Sequence, residues 1–419
     1  MTRARLTPLL VGQCPDDWQQ VSIDEVTELL TNGYVGPSLP YQTDDTKNGV
    51  RYLQGFNVRP NKIDFGNETW VTKEFHERNP KSCLREGDLL VVQSGHIGTA
   101  AVVPGAAAGS NCHALIIGRF DRCRVDPHFV SHYINSEIGQ ARLRGLEVGS
   151  SMLHINTSEL GRFILPLPPI GEQRRLAEIL GLWEEAIEKT ERLIGAKERR
   201  YAGLINQLII HRDRRSKAWE HRRINEISDR IQRQSNGVDY PLLTISSASG
   251  FIRQEEKYSR YMAGESAKTY TLLKRGEFAY NKGNSLRYEF GCVFQLLDYD
   301  AALVPSVYVS FRLHDSISDA YMRHLFAADY LKPQLRKLVK TGVRNNGLLN
   351  IRPDEFMNAT VPVPPFVEQE RISTVLDEAR DEIRLLSALL ENQRLQKRGL
   401  MQKLLTGEWR MPVAEEVTA

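Results

Sequence analysis

The sequence predicts an α+β protein built as a pseudo-twofold tandem repeat, in which two similar mixed α/β domains are separated by a pair of long antiparallel coiled-coil helices. Three observations predict this fold class. A segment of the first half recurs 196 residues later, each copy runs into a long heptad pattern, and short apolar runs with glycine turns precede each copy. The predicted parts are a first domain at 1–165, a central long helix at 166–212, a second domain at 213–361, a C-terminal long helix at 362–410 and a tail at 411–419.

The repeat is clearest where a run of prolines leads into a helix. The first copy, LPLPPIGEQRRLAEIL, begins at Leu165, and the second, VPVPPFVEQERISTVL, begins at Val361. The match holds without a gap between residues 153–208 and residues 349–404. It is fainter earlier in each half, where the offset drifts, as expected for loops of different length inside a shared fold. The chain is therefore a tandem duplication whose middle parts diverged.

Each copy carries an apolar seam that recurs in steps of four and three residues. The seam includes Leu180 and Ile187 in the first copy and Leu376 and Ile383 in the second. This spacing is typical of a coiled coil, and two such helices in one chain most simply pair with each other. The prolines close the preceding strand and bring the chain to a helix start, where a missing N–H costs nothing. A glutamate in the first turn of each helix is favoured by the helix dipole.

The diverged middle of the first half predicts a mixed α/β fold. Apolar runs bounded by glycine turns predict strands at 89–93, 99–103 and 114–118. Asp126 before a proline predicts a helix start, and the pattern predicts one helix from there to about Arg144.

Polar, glycine-rich tips occur in both halves of the chain. Their Arg, Lys, Asn, Gln and Ser side chains are types that hydrogen-bond base edges and phosphates, and both kinds of tip occur in both halves. The candidate nucleic-acid-binding residues are Gln93, Ser94, His96, Ser150, Ser151, Asn281, Lys282, Asn284, Ser285, Arg287, Arg344, Asn345 and Asn346.

Composition places the chain among ordinary globular proteins rather than polycations. The net charge is +3, although a basic stretch at 192–223 is either a surface that faces phosphates or a solvated helix end. The five cysteines form no CxxC pair, which argues against a disulfide framework and a zinc knuckle. No apolar run approaches 18 residues and no signal peptide is recognisable, so we expect a cytoplasmic protein.

Catalytic motifs are missing from the sequence. An adenine methyltransferase needs an Asn or Asp before Pro-Pro-aromatic, whereas Val363 holds that place before Pro364, Pro365 and Phe366. No glycine-rich cofactor loop, phosphate loop, HExxH motif or nuclease-like acidic cluster is recognisable. We therefore expect no catalytic site, no metal site and no cofactor bound by this chain.

A duplicated chain in which each diverged α/β half ends in a Pro-Pro-x-x-Glu-Gln helix resembles the specificity subunit of type I restriction-modification enzymes. Trp18 and Trp219 stand where the target recognition domains of that family begin, and MQKLLTGEWR resembles its C-terminal helix end. One departure is that the first helix ends in IIHRDRR where the second reads LTGEWRM. The resemblance covers essentially the whole chain.

The resemblance implies a function in DNA methylation and defence against foreign DNA. Each half would be a target recognition domain that reads one part of a bipartite double-stranded DNA site. The helices would act as spacer and dock two modification subunits, which carry S-adenosylmethionine, while restriction subunits with ATP and Mg would join the complex. The implied spacer and subunit-interface residues are Glu172, Gln173, Leu180, Ile187, Glu368, Gln369, Leu376 and Ile383.

Two other classes of protein remain open from the residues alone. One is a coiled-coil scaffold that binds proteins without reading DNA, and the other is a self-contained DNA methyltransferase. An electrophoretic shift with bipartite against random DNA separates the scaffold from the DNA reader, and the missing motifs count against the methyltransferase.

Overall fold

The structure is a computed structural model that describes residues 15–146, 154–257, 269–283, 285, 287–339 and 349–411. Up to the end of the central long helix the chain forms short strands and helices before one long helix. In order these are β1 (Gln19–Ser22), α1 (Ile23–Val26), β2 (Thr27–Asn32), β3 (Val50–Leu53), β4 (Val58–Arg59), β5 (Lys62–Ile63), β6 (Trp70–Val71), α2 (Lys73–Arg78), β7 (Leu89–Val92), β8 (Ala100–Val102), β9 (Asn111–Cys112), β10 (Leu115–Phe120), α3 (Pro127–Asn135), α4 (Glu137–Arg144), α5 (Thr157–Gly161), β11 (Ile164–Leu167) and α6 (Ile170–Ile205).

The rest of the chain repeats this plan with different loops. A π-helical turn at Asn206–Ile210 extends α6 before the second set of elements begins. These are α7 (His211–Asp213), β12 (Glu220–Arg223), α8 (Ile224–Ile227), β13 (Ser228–Ile231), β14 (Leu243–Ser246), β15 (Gly250–Arg253), α9 (Gln254–Lys257), β16 (Thr271–Lys274), β17 (Phe278–Asn281), β18 (Cys292–Gln295), β19 (Ala301–Val304), β20 (Val309–Leu313), α10 (Asp319–Ala327), α11 (Lys332–Leu338), α12 (Pro353–Met357), β21 (Thr360–Val363) and α13 (Phe366–Leu404).

The chain divides into two compact units. Unit 1 combines residues 1–190 with residues 389–419, and unit 2 consists of residues 191–388. Each unit therefore holds one mixed α/β fold together with part of α6 and part of α13. The functional domain boundaries taken from the sequence stay a prediction.

The central sheet of each unit has the same strand order. In unit 1 the order is β2-β10-β7-β8, and in unit 2 it is β13-β20-β17-β18, with antiparallel neighbours throughout. A separate antiparallel pair joins the first strand of each unit to the strand before its long helix, β1 to β11 and β12 to β21. The mixed α/β tandem repeat predicted from the sequence is confirmed.

Within each unit the segments of the two long helices run antiparallel. In unit 1, Glu172 near the start of α6 contacts Arg410 just beyond α13, and Glu184 contacts Lys397. In unit 2, Arg212 beyond α6 contacts Glu368 in the first turn of α13. The predicted seam positions are the buried or half-buried ones on both helices.

The seam residues nearest the start of each long helix belong to a domain core as well as to a helix pair. Leu180 packs in a core with Trp18, Phe129 and Leu404 in unit 1, and Leu376 packs in the corresponding core of unit 2. The long helices are therefore integral to each folded unit. Among the described residues, no helix is long and apolar enough to cross a membrane.

Two local predictions are wrong in detail. The predicted single helix to Arg144 is broken into α3 and α4 because Ser136 is extended and caps α4, its Oγ accepting a hydrogen bond from the Gly139 amide at 3.0 Å. The third predicted strand, 114–118, begins one residue later because Ala114 has a φ of +47°, outside the strand region.

Candidate nucleic-acid interface

One end of the central sheet in unit 1 collects polar side chains from distant parts of the chain. β2 ends at Asn32 and β7 ends just before Gln93, and both strands pair antiparallel with β10. They therefore stop at the same end of the sheet, which we call the sheet edge. Nε2 of Gln93 donates a hydrogen bond to Oδ1 of Asn32. Ser94 and His96 follow in the same loop and are exposed. The structure thus brings the predicted residues of this loop together on one edge.

The loop that carries Ser94 and His96 is held in place by its own backbone. The amide of Gly98 donates to the Val92 carbonyl at 2.9 Å, and Nε2 of Gln140 donates to the Gly98 carbonyl at 3.0 Å. Gly98 has a φ of +76°, and a Cβ there would lie 2.6 Å from Cδ1 of Leu143. Only glycine fits both conditions. The exposed side chains are therefore presented on a fixed scaffold.

Tyr34 and His113 complete this edge, and sequence reasoning missed both. The Tyr34 amide donates to the Cys112 carbonyl at 2.9 Å, and the Tyr34 carbonyl accepts from the Ala114 amide at 3.0 Å. Nδ1 of His113 is 3.1 Å from the hydroxyl of Tyr52, and burial lowers the pKa of His113. At neutral pH its imidazole is therefore mainly uncharged and able to donate and accept hydrogen bonds.

Asn32, Tyr34 and His113 were not chosen from the sequence, although Asn32 and Tyr34 flank Gly33 in a glycine-containing segment. Asn32 and Tyr34 belong to one end of β2, whereas His113 precedes β10, and only the pairing of these two strands brings them together. The glycine marks a turn after the strand, but only the strand pairing shows that His113 lies beside it.

The matching edge of unit 2 carries the predicted basic residues. β17 ends at Asn281, whose Oδ1 accepts a hydrogen bond from the Gly283 amide at 3.0 Å. Ser285 and Tyr288 close a turn, since the Tyr288 amide donates to Oγ of Ser285 at 3.0 Å. The exposed Arg287 lies with its guanidinium carbon 5.5 Å from the Tyr288 ring centre. Lys282 precedes this turn and is partly exposed.

The other predicted binding residues lie outside the described residues, and their place in the site stays a prediction. The chain re-enters the described structure at the same edge in both units. The Ile155 amide donates to the Gln93 carbonyl at 3.1 Å, and the Leu349 amide donates to the Lys282 carbonyl at 2.9 Å. The residues concerned are Ser150, Ser151, Asn284, Arg344, Asn345 and Asn346.

The glutamine of each Pro-Pro-x-x-Glu-Gln motif ties the long helix to a helix of the α/β fold. In unit 1, Gln173 accepts from the Asp126 amide at 2.8 Å and donates to the Pro168 carbonyl at 2.8 Å. In unit 2, Gln369 accepts from the Ser318 amide at 2.8 Å. Asp126 and Ser318 are the N-caps of α3 and α10. Each glutamine therefore fixes a helix start against the long helix.

The glutamate of each motif accepts the indole N–H of the tryptophan at the start of its unit. The distance from the indole Nε1 to the carboxylate is 3.3 Å for Trp18 and Glu172 and 3.1 Å for Trp219 and Glu368. An arginine beyond the partner long helix completes each group, which we term a clasp. Arg410 donates two hydrogen bonds to Glu172 at 2.8 and 2.9 Å.

The second clasp uses Arg212, whose Nε lies 3.2 Å from Oε1 of Glu368. The segments IIHRDRR and LTGEWRM therefore differ in sequence, but each supplies an arginine that pairs with a motif glutamate. Arg410 also pairs with Asp17 at 2.6 and 2.8 Å. The carboxylates of Glu172 and Asp17 together raise the pKa of Arg410.

These contacts give the motif residues, which the resemblance implies are spacer and subunit-interface residues, partners inside their own units, and their place in a subunit interface stays a prediction. Glu172, Gln173 and Gln369 are 2%, 0% and 1% exposed, and their polar atoms are used inside their own units. Glu368 is partly exposed and is engaged by Trp219. Residues so deeply buried offer almost no surface to another chain, so they position the fold.

The predicted seam residues also differ in how deeply they are buried. Leu180 and Leu376 are fully buried, while Ile187 and Ile383 are half-buried.

A buried histidine joins the α/β fold of unit 1 to both long-helix segments. Nδ1 of His132 on α3 lies 3.7 Å from Oε1 of Glu184 on α6, and no described residue hydrogen-bonds that nitrogen. Lys397 on α13 donates to the same Glu184 oxygen at 2.6 Å, and Asn61 donates to it at 2.7 Å. Burial lowers the pKa of His132 to about 4, although the Glu184 charge opposes this effect.

His324 occupies the corresponding place in unit 2, with both ring nitrogens engaged. Its Nδ1 lies 2.7 Å from the hydroxyl of Tyr201 on α6, and its Nε2 lies 2.9 Å from Oδ1 of Asp377 on α13. Arg323 donates to the same Asp377 oxygen at 2.6 Å. Burial lowers the pKa of His324 to about 4. We call each histidine with its partners on the long helices a joint.

The two joints hold no metal-like constellation. Among the described residues, no group of three or more His, Cys, Asp and Glu side chains is arranged to hold a metal ion. Of the cysteines that the structure describes, Cys112 and Cys292 are buried, Cys83 is half-buried and Cys123 is exposed.

Comparison with known proteins gives these features a family. Residues 15–195 match the family model for the type I restriction modification DNA specificity domain. The chain is 25% identical to the type I restriction enzyme MjaVIII specificity subunit of Methanocaldococcus jannaschii over 183 residues, which span 42% of either chain. It is 20% identical to the type I restriction enzyme EcoKI specificity subunit of Escherichia coli K12 over 393 residues, covering 86% of this chain and 82% of that relative.

The fold is shared as well. A solved structure of the type I restriction-modification system S subunit from M. genitalium superposes with a TM-score of 0.58 at 15% identity, covering 94% of this chain and 97% of that one. The resemblance inferred from the repeated helices is therefore confirmed: the first half of the chain matches the domain model of type I restriction-modification specificity subunits, and the relatives above carry that name.

Proposed function

We propose that this chain is the sequence-specific DNA-recognition subunit of a type I restriction-modification complex and reads a bipartite target, one part with each unit. The single observation that carries the proposal is the repeated sheet edge. Equivalent ends of two equivalent sheets present Gln93, Ser94 and His96 in unit 1 and Asn281, Lys282 and Arg287 in unit 2. Such side chains on fixed loops suit hydrogen bonds to base edges and phosphates.

The two edges differ in charge, and this difference supports two distinct half-sites. Unit 1 offers amide, hydroxyl and imidazole groups, whereas unit 2 adds Lys282 and Arg287. Arginine and lysine favour the acceptors of guanine in the major groove, and asparagine and glutamine favour adenine. A duplication that keeps the fold and changes the edge is what reading two unlike half-sites requires.

We propose further that the outward faces of the long helices dock two modification subunits. Since Glu172, Gln173 and Gln369 are buried, other residues must form most of that surface. Leu182 on α6 is 59% exposed, and Leu385 and Leu395 on α13 are 61% and 58% exposed. These exposed leucines, with charged neighbours on the same helices, are the candidate contacts for that surface. Restriction subunits would join the same complex.

The chemistry would lie on the partner subunits. In this proposal the chain itself is non-catalytic and binds no cofactor, while the modification subunits carry S-adenosylmethionine and the restriction subunits use ATP with Mg. The complex would act on DNA in the cytoplasm. A protein-binding scaffold without DNA readout is the main competing function.

The test is methylation by a reconstituted complex. Wild-type chain with its modification subunits should methylate one bipartite sequence, found by mapping methylated adenines, and the purified chain alone should transfer no methyl groups. A Leu182→Asp, Leu385→Asp variant should lose the subunits while keeping its own fold, as checked by gel filtration and thermal melting. A complex that binds random and target duplexes equally would favour the scaffold, and methyl transfer by the chain alone would refute a non-catalytic role.

A further inference from the structure

A short loop in unit 1 exposes large apolar side chains beside the candidate interface. It runs from Tyr34 to Tyr41 with the sequence YVGPSLPY. Val35 is 70% exposed and Leu39 is 77% exposed, and Tyr41 is 38% exposed. Single exposed apolar residues are common on protein surfaces, but several within seven residues form a local apolar tip. We call this segment the apolar loop.

The apolar loop is anchored at both ends. Its first residue, Tyr34, is bonded on both sides to the segment before β10, through the Cys112 carbonyl and the Ala114 amide. Its last residue, Tyr41, accepts a hydrogen bond from the Thr72 amide at 3.0 Å. The rings of Tyr34 and Tyr41 each lie 4.9 Å from the ring of Phe75. Both ends therefore rest on one aromatic cluster.

The middle of the loop has little freedom. Pro37 and Pro40 fix two backbone φ angles. A Cβ on Gly36 would lie 2.8 Å from the hydroxyl of Tyr34, so the chain passes close over that ring. The Tyr41 amide donates to the Ser38 carbonyl at 3.0 Å and closes a turn around Leu39. Because the exposed valine and leucine stand on a rigid support, the loop loses little conformational entropy when they bind a partner.

The loop leaves the same sheet edge that carries the predicted DNA-binding residues. Asn32, which accepts the hydrogen bond of Gln93, is three residues before Val35. Three residues of extended chain span at most about 11 Å, so Val35 lies within about three base-pair steps of that polar edge. A duplex that reached Gln93 and His96 would also meet the apolar loop.

We propose that Val35 and Leu39 read thymine by contact with its C5 methyl group in the major groove of one half-site. The inference rests on the proposed function and deepens it, because it assigns part of the base choice to apolar residues. The methyl of thymine is the apolar feature of the base edges in the major groove, and apolar side chains are its usual partners. The neighbouring acid Asp45 is occupied within the protein, where it accepts from the Lys47 and Asn48 amides.

A protein partner suits this tip less well. Stable protein interfaces cover about 800 Å² on each partner and involve some twenty residues. The apolar loop contributes three exposed apolar side chains, and the residues that follow it, Gln42 to Asn48, are polar or charged. A few apolar groups beside hydrogen-bonding groups match the alternation of methyl and polar atoms along a groove.

The experiment uses the complex of the full chain with its modification subunits and duplexes of the mapped target. Each thymine of the half-site read by unit 1 is replaced, one at a time, by deoxyuridine, which lacks only the methyl group. Binding constants are measured for wild type, Val35→Ser, Leu39→Ser and the control Val238→Ser, which changes a valine of unit 2 that is 54% exposed. Thermal melting establishes that all variants fold.

We expect wild type to bind about fourfold more weakly when the contacted thymine loses its methyl, the loss that one buried methyl group implies. Val35→Ser or Leu39→Ser should bind the thymine duplex about fourfold more weakly and be indifferent to deoxyuridine at that place. The control should keep the wild-type response. Loss of modification subunits at unchanged DNA affinity would instead make the loop a protein-docking site and overturn the proposal.

Three further outcomes overturn the inference. These are an undiminished deoxyuridine penalty in both loop variants, a wild type that shows no penalty at any thymine, and a half-site of unit 1 that contains no thymine. A wild-type complex that binds target and random duplexes alike would refute the proposed function itself. That failure is distinguishable because it precedes any base substitution.

Discussion

The two joints place a histidine in the same position and surround it with different chemistry. In unit 1 the carboxylate comes from α6, as Glu184, and the partner from α13 is Lys397. In unit 2 the carboxylate comes from α13, as Asp377, and the partner from α6 is Tyr201. The tandem repeat aligns Glu184 with Arg380 and Lys397 with Tyr201. In both units the carboxylate therefore comes from the first part of the long helix that follows the unit's own α/β fold, and the aligned residues Lys397 and Tyr201 contribute from the other long helix.

This comparison teaches that the duplication preserved a place for a buried polar contact and let its members change. A buried imidazole must satisfy its hydrogen-bonding atoms, and different side chains at equivalent places of the long helices can supply the partners. Unit 2 satisfies both nitrogens of His324, while Nδ1 of His132 has no hydrogen bond to a described residue. Unit 2 therefore holds its histidine more completely than unit 1. Four perturbations would break or sharpen this comparison.

Charging the buried seam should have the largest effect. Leu180→Asp places a carboxylate in the core of unit 1, and Leu376→Asp does the same in unit 2; each should cost about 5 kcal/mol of unfolding free energy. Hydrogen exchange read by mass spectrometry should show lost protection mainly in the mutated unit. Ile187→Asp and Ile383→Asp are the matched half-buried controls and should cost less. Equal loss of protection in both units from one substitution would show that the units do not unfold separately.

Acid should destabilise both units through their histidines. Each histidine has a pKa of about 4 in the folded chain against 6.5 when unfolded, so stability is full above pH 6.5 and falls as the pH drops towards 4. A pKa shift of this size corresponds to a loss of about 3 kcal/mol of unfolding free energy for each histidine.

The measurement for this prediction is urea unfolding at pH 7 and pH 4.5. His132→Gln and His324→Gln should each flatten the pH dependence, and His324→Gln should cost more at pH 7 because both of its ring nitrogens are hydrogen-bonded. An unchanged slope with pH in both variants would assign the acid sensitivity to other groups.

Changing one sheet edge should alter one half of the DNA target. Arg287→Ala and Lys282→Ala in unit 2 should relax one half-site at a cost of about 1–3 kcal/mol in binding, while Gln93→Ala and His96→Ala should act on the other half-site. Methylation mapping with each variant in the complex shows which bases lost their requirement. Relaxation of both half-sites by a single substitution would contradict the assignment of one half-site to each unit.

The smallest effect should distinguish the two clasps. Arg410→Lys keeps a positive charge but loses paired contacts to Asp17 and the buried Glu172, and it should cost about 1 kcal/mol. Arg212→Lys replaces a side chain that is 54% exposed and makes one contact to Glu368, so its cost should be close to zero. Thermal melting compares the two variants directly. A larger loss for Arg212→Lys would reverse this ranking.

The long helices were predictable because their signals are local and repeated. Leu180, Ile187, Leu376 and Ile383 lie at heptad positions, and each is buried or half-buried as the spacing requires. The proline lead-in fixed each helix start to within a few residues. Burial matches in the two copies because both contain the same heptad pattern.

The roles of the motif residues and of half the edge could not be predicted. The sequence predicts Glu172 as a first-turn residue favoured by the helix dipole, and the resemblance implies that Gln173 is a spacer or interface residue, yet they contact Trp18 and the Asp126 amide, both far away in sequence. Tyr34 and His113 meet through strand pairing, next to Ala114 with its positive φ. Periodicity reports which face of an element is buried, but it does not report which distant element buries it.

The clasp of unit 1 has a consequence for how the protein is made. Unit 2 consists of one continuous stretch, residues 191–388, and its clasp joins Arg212, Trp219 and Glu368 within that stretch. Unit 1 instead needs residues from Leu389 onwards, and the charge of its buried Glu172 meets Arg410 only when the chain up to that arginine has left the ribosome. Domains generally fold as units during synthesis. The half that is translated first is therefore completed last, and a nascent or truncated chain without its final helical turns would carry a finished second unit and an unfinished first one.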